Sequence, residues 1–310
     1  MRLKMAYGRD GLWVDVPDGI PTTVIEPQYV AGLKNEYEAV KAALYKPLAG
    51  APLPEVISST DTVAIVFSDI TRPMPNDRVI PILLEALQSL GVSDRHICLI
   101  NALGTHRTQS TEELERMLGP DIVRRYSIVQ HDAWADDLVE VVENNAGRMV
   151  RVNRHYMEAS KRILTGFVEP HFFAGFSGGP KAVLPGIADI ESIMDNHGAR
   201  LLSDPKATWA NTVGNPLWEE IYDIALATNP TFILNVTLNK DRDITGVFAG
   251  ELQVAHQAAV KSMREKVMQP VDQPYDIVIT SNSGYPLDLN LYQAVKGSLL
   301  QPRLLNPGGI

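Results

Sequence analysis

Three apolar runs constrain this chain more than any other feature. Thr62–Ile70 (TVAIVFSDI), His96–Gly104 (HICLINALG) and Lys161–Pro170 (KRILTGFVEP) each read as a buried strand that leads into a polar loop. A strand hidden on both faces has no reason to alternate apolar with polar side chains, and this is the habit of parallel sheets covered by helices. Helical patterns fall between the runs. Asn76–Leu90 is amphipathic and closed by Gly91, and STEELERMLG (Ser110–Gly119) opens with a capping box from Ser110 to Glu113. The rhythm predicts an α/β fold with largely parallel sheets. It also predicts where ligands bind, because open α/β sheets place them beyond the carboxyl ends of the strands.

At 310 residues the chain has room for one large or two medium domains, taking roughly 100–200 residues for each. The start, MRLKMAYGRDGLWVDVP, reads as two short strands around an Arg-Asp-Gly turn. GELQVAHQAAVKSMREKVMQ reads as a long helix, and the Pro/Gln-rich stretch after it marks the expected boundary. The expectation is an N-terminal domain over 1–270 and the start of a C-terminal α/β domain over 271–310, with an active-site cleft between them. YDIVITSNS would be that second domain's strand and LDLNLYQAVKGSLL its helix. One strand and one helix bury too little to stand alone, so this domain is expected to be cut short. NPGGI reads as a turn towards a strand that does not follow.

A formal net charge of -9 disfavours nucleic acid, which needs basic surface to displace counterions. A small anionic substrate is still compatible, since a few local cations override the global sign. The single Cys98 permits no disulfide within the chain, as expected in a reducing compartment. The start has no apolar signal region, and no run approaches the roughly 18–20 apolar residues of a membrane helix. The expectation is a cytoplasmic protein without membrane partners.

HFFAGFSGGPKAVLPGI (His171–Ile187) brings glycines, a histidine and a lysine together. A P-loop follows its lysine with Ser or Thr to hold magnesium. Here Ala182 follows Lys181, so ordinary nucleotide-triphosphate chemistry fits poorly. Pro180 suits the first turn of a helix. IADIESIMDNHG reads as a helix stopped by Gly198, with His197 at its C-terminus. GFSGG misses the G-x-S-x-G spacing of a hydrolase elbow, and no H-E-x-x-H or C-x-x-C pair supports zinc.

Taken singly, Asp69 could cap a turn, Arg72 could be a solvated cation, and a loop histidine is usually a hydrogen-bonding residue. His96, His131, His155 and His256 have no motif context and are read as structural. For Asp69, Arg72, His106, His171 and Lys181 the ordinary explanation weakens, because they follow strand ends of one sheet.

Together SDITRP, LGTHR, PHFFAGFSGGPKAVLPGI, DNH and YQAVKG, in this order, resemble the nickel-dependent lactate racemase family of 2-hydroxyacid racemases and epimerases. The resemblance spans nearly the whole chain. It implies that Lys181 carries a covalent nickel-pincer nucleotide (pyridinium-3-thioamide-5-thiocarboxylic acid mononucleotide), with the glycines letting backbone approach it. It implies His197 as the nickel ligand of a square-planar centre, and His106 and His171 as paired acid/base residues. Asp69 and Arg72 would lie near cofactor and substrate, and Tyr292, Gln293 and Lys296 would be the second domain's contribution to substrate binding. The implied partners are a small 2-hydroxy acid and the enzymes that make the cofactor.

The chemistry suits these residue types. The α-proton of a 2-hydroxy acid is weakly acidic because the neighbouring carboxylate already carries charge. Taking the hydroxyl proton and removing the α-hydrogen as hydride gives a planar keto acid, to which hydride returns on either face. Two mirror-related hydroxyl positions call for two bases, and histidine suits both. Arg72 and Lys296 would hold the substrate carboxylate. The competing readings are a catalytically inactive nucleotide- or nickel-binding protein, which would need Lys181 and His197 but no acid/base pair, and a generic nucleotide-binding transferase.

Overall fold

The computed structural model of the chain describes residues 1–285, 288, 291, 297 and 304–310. Contacts divide them into a unit Tyr29–Glu265 and a unit formed by Met1–Gln28 with Lys266–Ile310.

In the smaller unit, β1 (Arg2–Met5) and β2 (Leu12–Asp15) form the antiparallel hairpin that the D-G turn predicts. The strand expected in YDIVITSNS is reduced to a parallel bridge between Tyr275 and Leu305. The end of the chain does more than turn. Tyr275 donates its N–H to Leu304, Val278 donates to Ile310, and Ile310 donates to Asp276. The helix expected over LDLNLYQAVKGSLL lies mostly outside the described residues, and so do Tyr292, Gln293 and Lys296.

The larger unit is built on β3 (Val63–Ser68), β4 (Ile97–Ala102) and β5 (Ser127–Gln130). A small antiparallel hairpin, β6 (Val139–Glu143) and β7 (Met149–Val152), precedes β8 (Lys161–Phe167). Two-residue strands β9 (Pro170–His171) and β10 (Gly175–Phe176) pair locally, and β11 (Phe232–Leu238) and β12 (Ile244–Gly250) complete the set. One six-stranded sheet runs in the order β12-β11-β8-β3-β4-β5. All its pairings are parallel except that of β11 with β12. The expected α/β architecture with a mostly parallel central sheet is therefore observed.

Alternate residues of the buried strands feed two cores. Val63, Ile65 and Phe67 join one apolar cluster with the helix Asn76–Ser89, while Ala64 and Val66 join another with the helix Pro216–Ala227. Each fully buried aliphatic side chain contributes roughly 1.5–3 kcal/mol, which fixes the sheet firmly between its helices. The chain leaves β3 towards β4 on one side, and β8 continues to β11 on the other. The strand order therefore reverses between β3 and β8, and the connections leaving their carboxyl ends diverge there. This is where open sheets open a crevice for a ligand.

Candidate active site

The segment after β3 turns back at once. Asn76 caps the end of the strand by donating Nδ2–H to the Ser68 carbonyl at 2.8 Å, and Arg72 N–H reaches the Asp69 carbonyl at 3.1 Å. Asp69 is thereby only 2% exposed, which is unusual for a carboxylate. It is well supplied with partners. Thr71 Oγ1 donates to its carboxylate at 3.0–3.1 Å, His106 Nδ1 lies 2.7 Å from Oδ2, and Arg72 Nε stands 3.8 Å from Oδ1.

The loop after β4 carries His106 and is pinned on both sides. Asn101 donates to the Gln109 side chain, Gln130 Nε2–H reaches the Gln109 carbonyl at 2.9 Å, and His106 N–H closes a turn onto Leu103. Gly104, at φ +54°, donates its N–H to the Gly186 carbonyl at 2.9 Å. That bond ties the His106 loop to the end of the lysine segment.

The glycine segment folds back over the sheet. A Cβ on Gly178 would lie 2.5 Å from Asn235 Oδ1 and 2.8 Å from the Phe167 carbonyl, at φ +75°. One on Gly179 would lie 2.4 Å from the His256 ring. Inside the protein itself, β11 and the helix Leu252–Val267 already demand glycine at these two positions. Asn235 accepts the Gly179 N–H at 2.9 Å, and His256 Nε2 lies 2.9 Å from the Ser177 carbonyl. The short 3-10 turn Gly179–Ala182 then presents Lys181. Asn235 and His256 were missed as contributors to the site. The only signal for Asn235 was a polar residue in the middle of an apolar strand. His256 is structural as expected, and what it structures is this loop.

Around Lys181 the surroundings are aromatic. Its ammonium lies 5.8 Å from the Phe173 ring centroid, and Phe173 meets His197 edge-on at 5.1 Å. His171 stacks on Phe172 at 4.8 Å and meets Phe173 edge-on at 4.5 Å. His197 caps the helix Ile190–Asn196, as expected, and that helix is held at its start by Asp189 and near its end by an Asn196–Glu220 hydrogen bond. Burial, with the Lys181 and Arg72 cations adding to it, pushes the His197 imidazole down to about 3. Its Nδ1 is covered and has no hydrogen-bond partner among the described residues. A neutral imidazole with an unclaimed ring nitrogen is the form that binds a metal.

The structure therefore brings Asp69, Arg72 and His106 into one hydrogen-bonded group and His171, Lys181 and His197 into a second around Phe173. The charges of Arg72 and Lys181 both act on His197. Among the described residues no three His, Cys, Asp or Glu side chains gather as a metal cage, and no helix is long and apolar enough to cross a membrane.

The groups lie beyond the carboxyl ends of strands in a mostly parallel α/β sheet, at the reversal of its strand order, which is the place where proteins of this class bind ligands. Comparison with known proteins narrows the class. Residues 7–210 match the lactate racemase N-terminal domain and residues 271–310 match the lactate racemase C-terminal domain. The chain belongs to the lactate racemase family. It is 38% identical over 276 residues to a lactate racemase from Lactiplantibacillus plantarum, a match covering 89% of this chain and 65% of that protein. It is 33% identical over 312 residues to one from Thermoanaerobacterium thermosaccharolyticum, covering 99% of this chain and 72% of the relative. The apoprotein structure of the lactate racemase from T. thermosaccharolyticum superposes with a TM-score of 0.92 at 32% identity, over 100% of this chain and 73% of that one. A Thermotoga maritima crystal structure shares the fold, with a TM-score of 0.65 at 24% identity.

Proposed function

We propose that this chain is the cofactor-holding part of a 2-hydroxyacid racemase or epimerase. The observation that carries the reading is His197, a neutral imidazole with an unclaimed Nδ1, set in the same aromatic group as Lys181. These residues fit a nickel-pincer nucleotide, with Lys181 as the covalent anchor and His197 as the nickel ligand. Bound there, such a group supplies a hydride acceptor that returns the hydrogen to either face of a planar keto acid.

The chain's own residues do the rest. His106 takes the hydroxyl proton at Nε2, and the Asp69 carboxylate at its Nδ1 steadies the imidazolium that results. His171 serves the mirror-related hydroxyl position. Arg72 offers a guanidinium fork to the substrate carboxylate. Tyr292, Gln293 and Lys296 are assigned to the same substrate from a C-terminal domain beginning near residue 271. The aromatic wall of Phe172 and Phe173 limits water around the reacting carbon.

The names of the relatives make lactate the first substrate to try, and the cofactor-making enzymes are the partners this reading requires. A silent carrier of the nucleotide would need Lys181 and His197 but would have no use for the Asp69–His106 pair. The test is intact mass under denaturing conditions, comparing chain from hosts with and without the cofactor-making enzymes. An adduct present only in the first host and lost in Lys181→Ala is expected. Wild-type chain of unmodified mass from a competent host would defeat the proposal.

A further inference from the structure

The two histidines assigned to proton transfer are held differently, and their partners dictate the difference. An ionised carboxylate can only accept a hydrogen bond. At 2.7 Å from Asp69 Oδ2, His106 Nδ1 must therefore carry the hydrogen, which leaves Nε2 as the ring's acceptor. Thr71 also donates to this carboxylate, and Arg72 Nε stands 3.8 Å from its other oxygen.

His171 is bound by the opposite logic. The backbone N–H groups of Ala174 and Phe173 point at its Nδ1, at 3.2 and 3.5 Å. A backbone N–H can only donate, so this Nδ1 is bare and the ring's hydrogen sits on Nε2. The ring is also clasped between Phe172 and Phe173, which fixes which edge faces which way.

Resting on the racemase reading, we infer that Asp69 and the Ala174 amide set the two histidines in opposite tautomers, so that in this structure His106 alone is poised to take a proton at Nε2. His171 presents an Nε2–H and acts as a hydrogen-bond donor. To take a proton at Nε2, it would first need a hydrogen on Nδ1, against two N–H groups already pointing there. The His171–Ala174 turn or the ring must rearrange before the second hand of substrate is served. Asp69 is accordingly a positioning residue. Its role is to choose the His106 tautomer, where the sequence reading placed it only near cofactor and substrate.

The test reads protons rather than turnover. The full chain is labelled with 15N-histidine and made without the cofactor-making enzymes. Its long-range 1H–15N correlations are recorded about two pH units above the ordinary imidazole value of ~6.5. His106→Gln and His171→Gln assign the two rings. The expected result is Nδ1–H for His106 and Nε2–H for His171. In Asp69→Asn the side-chain amide can donate towards Nδ1, so the His106 hydrogen moves to Nε2 while His171 is unchanged. Both rings in the same tautomer, or a folded Asp69→Asn with His106 unmoved, would overturn the inference. Neither outcome touches the Lys181 adduct, so the racemase reading fails or survives on its own measurement.

Discussion

The two halves of the candidate site are built on different physics. The half formed by the connections after β3 and β4 is a chain of charge-assisted contacts: Thr71 to Asp69, Asp69 to His106, Arg72 alongside. The half formed after β8 is held by packing. Its glycines sit where any side chain would collide, its histidines lie against aromatic rings, and the His197 imidazole is kept neutral by burial. The first arrangement suits groups that gain and lose protons, because the compensating charge is already in place. The second suits groups such as His197 that are held in place and kept neutral, while His171, in the same half, is held by backbone N–H groups instead of a compensating charge. If this division is right, damage to the first half spares stability and damage to the second half does not.

The largest expected effect is on the charge-assisted half. His106→Ala should lower kcat/KM by about 10²–10⁴-fold, as loss of an acid/base residue typically does. The loss should be equal in both directions, because the enantiomers are equally stable and their equilibrium links the two rates. Asp69→Asn should fall in the same range with the thermal midpoint little changed. The measurement is initial rates from each enantiomer on cofactor-loaded enzyme. A loss confined to one direction would contradict the equilibrium argument, and a parallel drop in stability would dissolve the comparison.

Next in size is Gly178→Ala in the packed half. The new Cβ meets Asn235 Oδ1 and the Phe167 carbonyl, and the backbone sits at φ +75°. Crowding and left-handed strain together should cost roughly 2–4 kcal/mol, read as a shift in the urea midpoint, with loss of the Lys181 adduct following. An unchanged midpoint would mean that the loop is softer than its contacts imply.

The same contrast explains what was legible in the sequence. The strands β3, β4 and β8, the capping box at Ser110 and the helix ending at His197 could all be read, because each depends on local periodicity or a local cap. The positions of Asp69, Arg72, His106, His171 and Lys181 were legible as residues following strand ends. The partnerships were not. Asp69 with His106 joins two separate connections, and no spacing rule links them. Asn235 and His256 act from other elements altogether, through Gly178, Gly179 and Ser177. The glycines were legible, but their neighbours Asn235 and His256 were not, because a sequence shows that a side chain is excluded and not what excludes it. The weak pairing at Tyr275 escaped for the opposite reason. YDIVIT has strand composition, but pairing depends on a partner that composition does not supply.

A smaller effect concerns acid. Burial pushes the His256 imidazole down to about 4, while in the unfolded chain it titrates near 6.5. Between those values the unfolded chain binds a proton that the folded chain refuses. The stability this group permits is therefore complete above about pH 6.5 and is lost as pH falls towards 4. For this group alone the loss at pH 5 relative to pH 8 is about 2 kcal/mol. Replacing His256 with Phe keeps a ring against Gly179 and removes the titration. The expected result is a flatter fall in the urea midpoint between pH 7 and pH 4, by close to one proton taken up on unfolding. An unchanged slope would show that His256 accepts a proton in the fold and that the packed half is less dry than its geometry implies.

The smallest expected effect tests a cation that faces both halves. Arg72 stands 3.8 Å from Asp69, and its charge also acts on His197. Its guanidinium side chain is 37% exposed, so part of it remains free to meet a ligand. Lysine at this position would keep the charge and its field but lose the planar fork that grips a carboxylate in two places. Losing one charge-assisted hydrogen bond of roughly 1.5 kcal/mol corresponds to about a tenfold rise in KM for a 2-hydroxy acid. The value of kcat should change far less, since the same grip exists before and during reaction. The Lys181 adduct and the His106 tautomer should both be unaffected, because neither depends on the fork. A fall in kcat with KM unchanged would move Arg72 away from the substrate carboxylate and make it a neighbour of the reacting groups. A loss of adduct would make it part of the packed half.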